Sequence, residues 1–520
     1  MNMQITVTGG VIEGAIDART GVRSFKGIPF GAPPVGDLRW RAPQPVVPWT
    51  GVRAAKQFGA RAMQLPIFGD MDFRAPYMSE DCLHLNVWAP VETGTTPLPV
   101  LVYFYGGGNV AGDGSEPRYD GAVLASHGII AITVNYRLNV FGFFAHPELS
   151  KEAHGVSGNY GYLDQLAALR WVRDNIAAFG GDPRRVTIAG ESAGSISVSA
   201  QMVSPMAKGL IAGAIGSSGS LLGALSAIPL TVAEQLGIEI ATAAGAPSLS
   251  ALRALPADQL LALTEGRPPQ QFTGVIDGAF LPESPMHIVA KGQQAQVPLL
   301  VGWNSTEVPH MFVMQQHEPT LANYQMVVRQ GFGPMADEIL RVYQANDDAD
   351  VPVVATDLAS DLFIGYSTWK WADMHVRTGN NPVYRYIYAH PRPAMRSEMG
   401  DAVSGLAGGV IRGEEAKSQP RLTVTGAVHS ADIEYFMGNL DTNPVYAWQD
   451  EDNQVSALMQ QIYLNFVKTG NPNGVGVPAW PRLSADSNAQ YMWIDTVSHV
   501  ANDVYRVRYE VLERVIVVPE

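Results

Sequence analysis

A single cysteine, Cys82, stands in 520 residues. No intrachain disulfide can form, and one thiol outside any Cys/His cluster makes neither a zinc nor an iron–sulfur site. Stability therefore has to come from an apolar core. Charge is scarce too, at 16% against 46% hydrophobic residues, well below the roughly 25% charged of an average soluble protein. That balance excludes disorder and coiled coil. Lys plus Arg number 35 against 49 Asp plus Glu, a net charge of −14, with no basic run anywhere, so neither nucleic acid nor an anionic membrane is expected as a partner. Long hydrophobic runs are missing as well. The longest charge-free stretch, Gly209 to Ala233, is interrupted by Ser217, Ser218, Gly219, Ser220 and Pro229, and no membrane span is expected from it. Residues 1–10 lack a basic region and an apolar region, so no secretory signal is expected and a cytoplasmic location is.

Glycine and proline, at 52 and 36, are abundant and point to many connecting loops. Short β-branched or aromatic runs recur at Val100–Tyr105, Ile129–Val134, Val186–Ala189, Pro298–Val301 and Val383–Tyr388, reading as strands buried on both faces. Between the second and third, Leu163, Leu166, Leu169, Val172 and Ile176 recur at helical spacing and stop at Gly180-Gly181-Asp182-Pro183. Strand, helix, strand at this spacing is a crossover unit. The fold class is thus α/β, a mostly parallel sheet with helices on both faces. Val455, Leu458, Met459, Ile462 and Phe466 predict another helix, ending at Gly470. No repeat or linker divides residues 1–520, which read as one domain. Gly400, Gly405, Gly408, Gly409 and Gly413 mark a surface loop.

The chemistry centres on Gly190-Glu191-Ser192-Ala193-Gly194, between the strand Val186–Ala189 and a potential helix from Ser195. This G-x-S-x-G turn is so tight that side chains at either glycine would collide with backbone. It holds Ser192 out at the strand end, and the helix N-terminus places the Ala193 N–H where an oxyanion would develop. Gly106-Gly107-Gly108, directly after Tyr105, can supply further donors. The chain order serine, acid, histidine removes His84, His127, His146 and His154 as the base. Of the remaining seven histidines, His429 stands on a short turn before a possible helix. Glu307, after the strand Pro298–Val301, fits the acid, and Asp277 is its rival.

The chain resembles the type-B carboxylesterases, the cholinesterase-like branch of the α/β-hydrolases. The elbow is the family's own; Ser79-Glu80-Asp81-Cys82-Leu83 is similar to its second signature, and Phe25–Arg39, Asn159–Leu169 and Tyr463–Pro472 resemble further family blocks. The resemblance covers nearly the whole chain. It implies an α/β-hydrolase fold with helical and loop insertions over the site; the glycine-rich segment, lying just upstream of His429, marks 396–421 as a candidate lid loop. It also implies Ser192 as nucleophile, Glu307 as acid, His429 as base, Gly107, Gly108 and Ala193 as oxyanion hole, and Glu191 and Ser218 as supporting residues. Asn109, His310, Met311 and Phe312 are expected to line the pocket. No cofactor or metal is implied; the expected partner is a small to medium, uncharged or anionic ester, and the oligomeric state is left open. A carbamate or amide hydrolase using the same machinery, or a non-catalytic binding module, are the alternatives.

Two departures stand out. Tyr105 replaces the histidine of the lipase-type motif, as in cholinesterases. The family's early disulfide would join Cys82 to a cysteine where this chain has Ala62, which suits a bacterial protein in a reducing compartment. Choline-ester enzymes of the family also carry a tryptophan that Phe68–Met78 lacks, weakening cation–π recognition.

Overall fold

The computed structural model describes residues 3–92, 94–418, 426–486 and 489–516. Its principal sheet has eleven strands: β1 (Ala15–Ile16), β2 (Arg23–Pro29), β3 (His84–Ala89), β4 (Leu98–Phe104), β5 (Ile130–Val134), β6 (Gly181–Glu191), β7 (Gly213–Ser217), β8 (Leu299–Asn304), β9 (Val383–Tyr388), β10 (Gln490–Ile494) and β11 (His499–Asn502). In space they run β11-β10-β9-β8-β7-β6-β4-β5-β3-β2-β1. The seven strands from β10 to β5 are mutually parallel, and the flanking pairs are antiparallel. In β3, β5, β8 and β9 every residue is buried. Successive side chains alternate between faces, so both faces are covered. This is the α/β-hydrolase sheet.

The expected strands are present with shifted ends. The run at Val186–Ala189 belongs to an eleven-residue strand, and that at Pro298–Val301 extends to Asn304, because pairing to already buried neighbours carries the strands past the apolar segment. Helix α1 (Tyr160–Asn175) passes into a 3-10 turn that ends on Gly180 at φ 95°, a left-handed position suited to glycine. Helix α2 (Ala193–Val203) follows β6 directly. Helix α3 (Val351–Ser360) continues through a π-helical turn, Asp361–Gly365, into α4 (Tyr366–Thr378). The long helix α5 (Asp450–Thr469) opens with a capping box between Gln449 and Asp452 and closes on Gly470.

The main core fills the sheet faces. A second apolar cluster around Trp303, Tyr343, Trp369 and Tyr509 supports the segment from Met314 to Tyr366. The glycine-rich loop is not featureless. Val403–Ser404 pairs antiparallel with Val410–Ile411, and a short helix, Gly413–Ser418, follows; the end of the expected 396–421 lid, including Arg421, lies outside the described residues. Cys82 is buried and unpaired, and it lines one small cavity together with Ala62. Among the described residues no helix is long and apolar enough to cross a membrane.

Candidate active site

β6 ends at Glu191 and α2 begins at Ala193, so Ser192 alone makes the turn. Its φ of 57° and ψ of −125° lie where a residue with a side chain is strained. The Ser192 N–H donates to Ser217 O at 2.9 Å, and Ile196 N–H donates to Ser192 O at 2.9 Å; these bonds hold the conformation. A Cβ on Gly190 would lie 2.4 Å from the Gly194 carbonyl carbon, and one on Gly194 would lie 2.0 Å from Phe104 O. Both positions therefore require glycine.

At the end of the neighbouring strand β4, Gly107 and Gly108 turn back with φ of 110° and 63°. A Cβ on Gly107 would meet Ala111 O at 2.3 Å. The N–H groups of Gly107, Gly108 and Ala193 donate to no protein acceptor among the described residues, and all three residues line the same cavity as Ser192. Unpaired donors gathered beside the half-buried elbow serine suit a developing oxyanion.

The candidate acid and base are brought together by a zipper of hydrogen bonds between residues 304–307, at the end of β8, and residues 427–429. Asn304 Nδ2 donates to Val428 O at 2.6 Å, Thr306 N–H to Ala427 O at 2.9 Å and Ala427 N–H to Ser305 Oγ at 3.0 Å. His429 Nδ1 then lies 2.6 Å from Glu307 Oε2. The other carboxylate oxygen accepts from Ser218 Oγ at 2.6 Å and from Asn304 N–H at 2.7 Å. Glu307 is wholly buried and its charge fully used. His429 Nε2, on the cavity side, is 3.3 Å from Glu191 Oε1, and the edge of the Phe363 ring packs against the imidazole at 5.1 Å between centroids.

Electrostatically, burial pushes the Glu191 carboxyl up to about 8, with Asp432 and Glu307 adding to the rise while His429 and Arg118 oppose it. For His429, burial alone would lower the pKa, but Glu191, Glu307 and Asp432 together raise it to about 9. The imidazolium that forms when a base takes a proton is thus stabilised in place. Ser192 and His429 face a cavity of about 270 Å³ whose other walls include Phe68, Met71, Ile196, Leu225, Phe272 and Phe363.

The family model described as the carboxylesterase family matches residues 2–512. The chain belongs to the carboxylesterase family. Fumonisin B1 esterase of Sphingopyxis macrogoltabida is 34% identical over 496 residues, 90% of this chain and 83% of its own length. Pyrethroid hydrolase Ces2e of Rattus norvegicus is 32% identical, over 92% of this chain and 83% of its own. Cocaine esterase of Homo sapiens is 32% identical, over 95% and 88%. As a carboxylesterase, the protein is a carboxylic-ester hydrolase.

Of the residues expected around the carboxylesterase pocket, Asn109 and Phe312 line the cavity, whereas His310 and Met311 do not. His310 immediately precedes the short helix Met311–Met314, and successive residues of a helical turn point in different directions, so only Phe312 of the three reaches the rim. Asp277 sits elsewhere: its Oδ1 accepts from the N–H groups of Ala279 and Leu281, each at 3.0 Å, closing a turn. Sequence reasoning did not find Arg118, Phe363, Leu406 or Ala407, all of which line the cavity. Leu406 and Ala407 form the tip of the glycine-rich hairpin. Its glycines allow close packing, since a Cβ on Gly405 or Gly409 would lie 2.2 or 2.1 Å from Asp70 atoms, and Ser430 Oγ donates to Leu406 O. Among the described residues no group of three or more His, Cys, Asp or Glu is placed to hold a metal ion.

Proposed function

We propose that the carboxylesterase works by two-step acyl transfer. Ser192 attacks the ester carbonyl while His429 takes its proton through Nε2. Glu307 fixes the imidazole through Nδ1 and stabilises its charged form, and the N–H groups of Gly107, Gly108 and Ala193 hold the oxyanion. His429 passes the proton to the leaving alcohol, and water repeats the sequence on the acyl-enzyme. The observation that carries this reading is the His429–Glu307 bond at 2.6 Å at the edge of the cavity that also exposes the elbow serine.

The substrate we propose is an uncharged or anionic ester with a short to medium acyl chain. A cavity of about 270 Å³ walled by Phe68, Met71 and Phe272 supports a compact apolar acyl or alcohol group. No tryptophan is among the described residues that line it, which disfavours a quaternary ammonium. The hairpin tip Leu406–Ala407 is proposed to close that wall. The test is a panel of p-nitrophenyl esters of increasing acyl length, with butyrylcholine alongside, measured with and without a serine-directed phosphonate. Turnover of the shorter esters that the phosphonate abolishes is expected. Turnover indifferent to the phosphonate, or a preference for butyrylcholine after correction for leaving group, overturns the reading.

A further inference from the structure

One charged side chain in the cavity wall has no part in acyl transfer. Arg118 lies on the short 3-10 turn Pro117–Tyr119, just beyond the oxyanion glycines, and its backbone is fixed by Asn439 Nδ2, which donates to Arg118 O at 3.0 Å. The residue is 7% exposed. Its guanidinium makes one hydrogen bond, from Nε to Glu116 Oε2 at 2.9 Å. Nη1 is buried with no partner, and Nη2 has none among the described residues. A buried guanidinium with its outer edge unpaired leaves strong donors unsatisfied, which is costly. The planar fork matches a carboxylate in two parallel bonds.

We propose that Arg118 is a substrate-binding residue for a carboxylate, and that the preferred ester carries a free carboxylate on its acyl or alcohol part. The proposal rests on the esterase reading and narrows its substrate class. Apart from His429, Arg118 is the only cation among the described residues lining the cavity, and Glu191 is the only carboxylate among them. Glu191 turns Oε1 to His429 Nε2 at 3.3 Å, so its carboxylate is directed at the imidazole and not at an incoming anion. Glu116 takes only the Nε–H of the guanidinium, which leaves both Nη groups without a carboxylate partner among the described residues. Glu434, the other carboxylate acting on Arg118, is engaged by Arg392 at 2.9 Å.

The experiment compares two probe pairs: p-nitrophenyl hydrogen adipate against p-nitrophenyl valerate, and 4-acetoxybenzoate against 4-acetoxybenzamide. The quantity read is the anionic-to-neutral ratio of kcat/KM in the wild type, Arg118→Met and Arg118→Lys. A wild-type ratio above one in at least one pair is expected, falling tenfold or more in Arg118→Met and less in Arg118→Lys. Ratios below one in both pairs, or a fall smaller than tenfold, overturn the proposal. Should Arg118→Met fail to fold, inhibition of the wild type decides: adipate must compete with the substrate more strongly than adipamide, and equal inhibition overturns it. Neutral esters hydrolysed in a phosphonate-sensitive way with an unchanged ratio would leave the esterase reading standing alone. Absence of any turnover or phosphonate labelling would remove that reading itself.

Discussion

His429 and Glu307 are joined twice, once by side chains at 2.6 Å and once by the His429 N–H donating to the Glu307 carbonyl at 3.0 Å. The second bond sets the backbone of the proposed base against that of the proposed acid, so the imidazole keeps its orientation without relying on one side-chain contact. Such preorganisation lowers the reorganisation needed during proton transfer.

Removing the proposed nucleophile is the first check. Ser192→Ala is expected to leave the melting temperature within a few degrees of wild type and to lower kcat/KM for p-nitrophenyl butyrate by about three orders of magnitude or more. Substantial turnover by the purified variant would show that another residue is attacked.

The two candidate acids separate by substitution. Glu307→Gln breaks a fully used carboxylate and is expected to cost about 10²-fold or more, since a wrongly oriented imidazole is a poor base. Asp277→Asn keeps the oxygen that closes its turn, and kcat should stay within about threefold. Equal losses in both variants would contradict the placement of the acid.

The pH profile follows from the raised His429 pKa of about 9, against an ordinary value of 6.5. A base must be unprotonated to act, so the acid limb of kcat/KM is expected above 6.5. Glu191→Gln removes the largest of the raising influences and should move that limb to lower pH. For stability the sign reverses. A raised folded pKa stabilises fully below about 6.5 and is lost as pH rises through about 9, so Glu191→Gln should also flatten the decline of Tm over that interval. An acid limb that stays put in the variant would exclude the Glu191–His429 coupling.

Backbone geometry makes its own prediction at the oxyanion loop. Gly107→Ala brings a Cβ within 2.3 Å of Ala111 O and must displace the donor; a loss of about 10²–10³ in kcat is expected for one donor. Activity within fivefold of wild type would mean that the N–H of Gly107 is not used.

The thiol predicts an absence of response. Burial raises the Cys82 pKa well above its usual range, which keeps it from forming the reactive thiolate. Reducing agent should shift neither Tm nor activity, and Ellman's reagent should label the protein only after denaturation. Rapid labelling of the native protein would contradict this.

Much of the site was legible because its parts announce themselves at strand ends. Two glycines around Ser192, three after Tyr105, and Glu307 behind an apolar run all mark chain reversals at the carboxyl edge of a parallel sheet. Other parts carried no local signal. Arg118 sits in an ordinary polar turn, and its significance is that its outer N–H groups find no partner, a fact of packing. Phe363 reaches His429 because a π-helical turn interrupts an otherwise continuous helix, and periodicity cannot show such a turn. The hairpin at 403–411 read as a plain loop because two-residue strands are too short for any alternation. His310 and Met311 were adjacent in sequence to the rim, yet a helical turn lets only Phe312 face it.

Ser192, Glu307 and His429 come from three distant stretches of chain, the last two 122 residues apart, and they meet only when β6, β8 and the Ala427–Ser430 turn are all seated. Closing contacts of that separation is slow and entropically costly. Turnover is consequently a reporter of complete, long-range assembly: during refolding it is expected to return after the helical circular-dichroism signal, and a fragment ending before His429 is expected not to regain it.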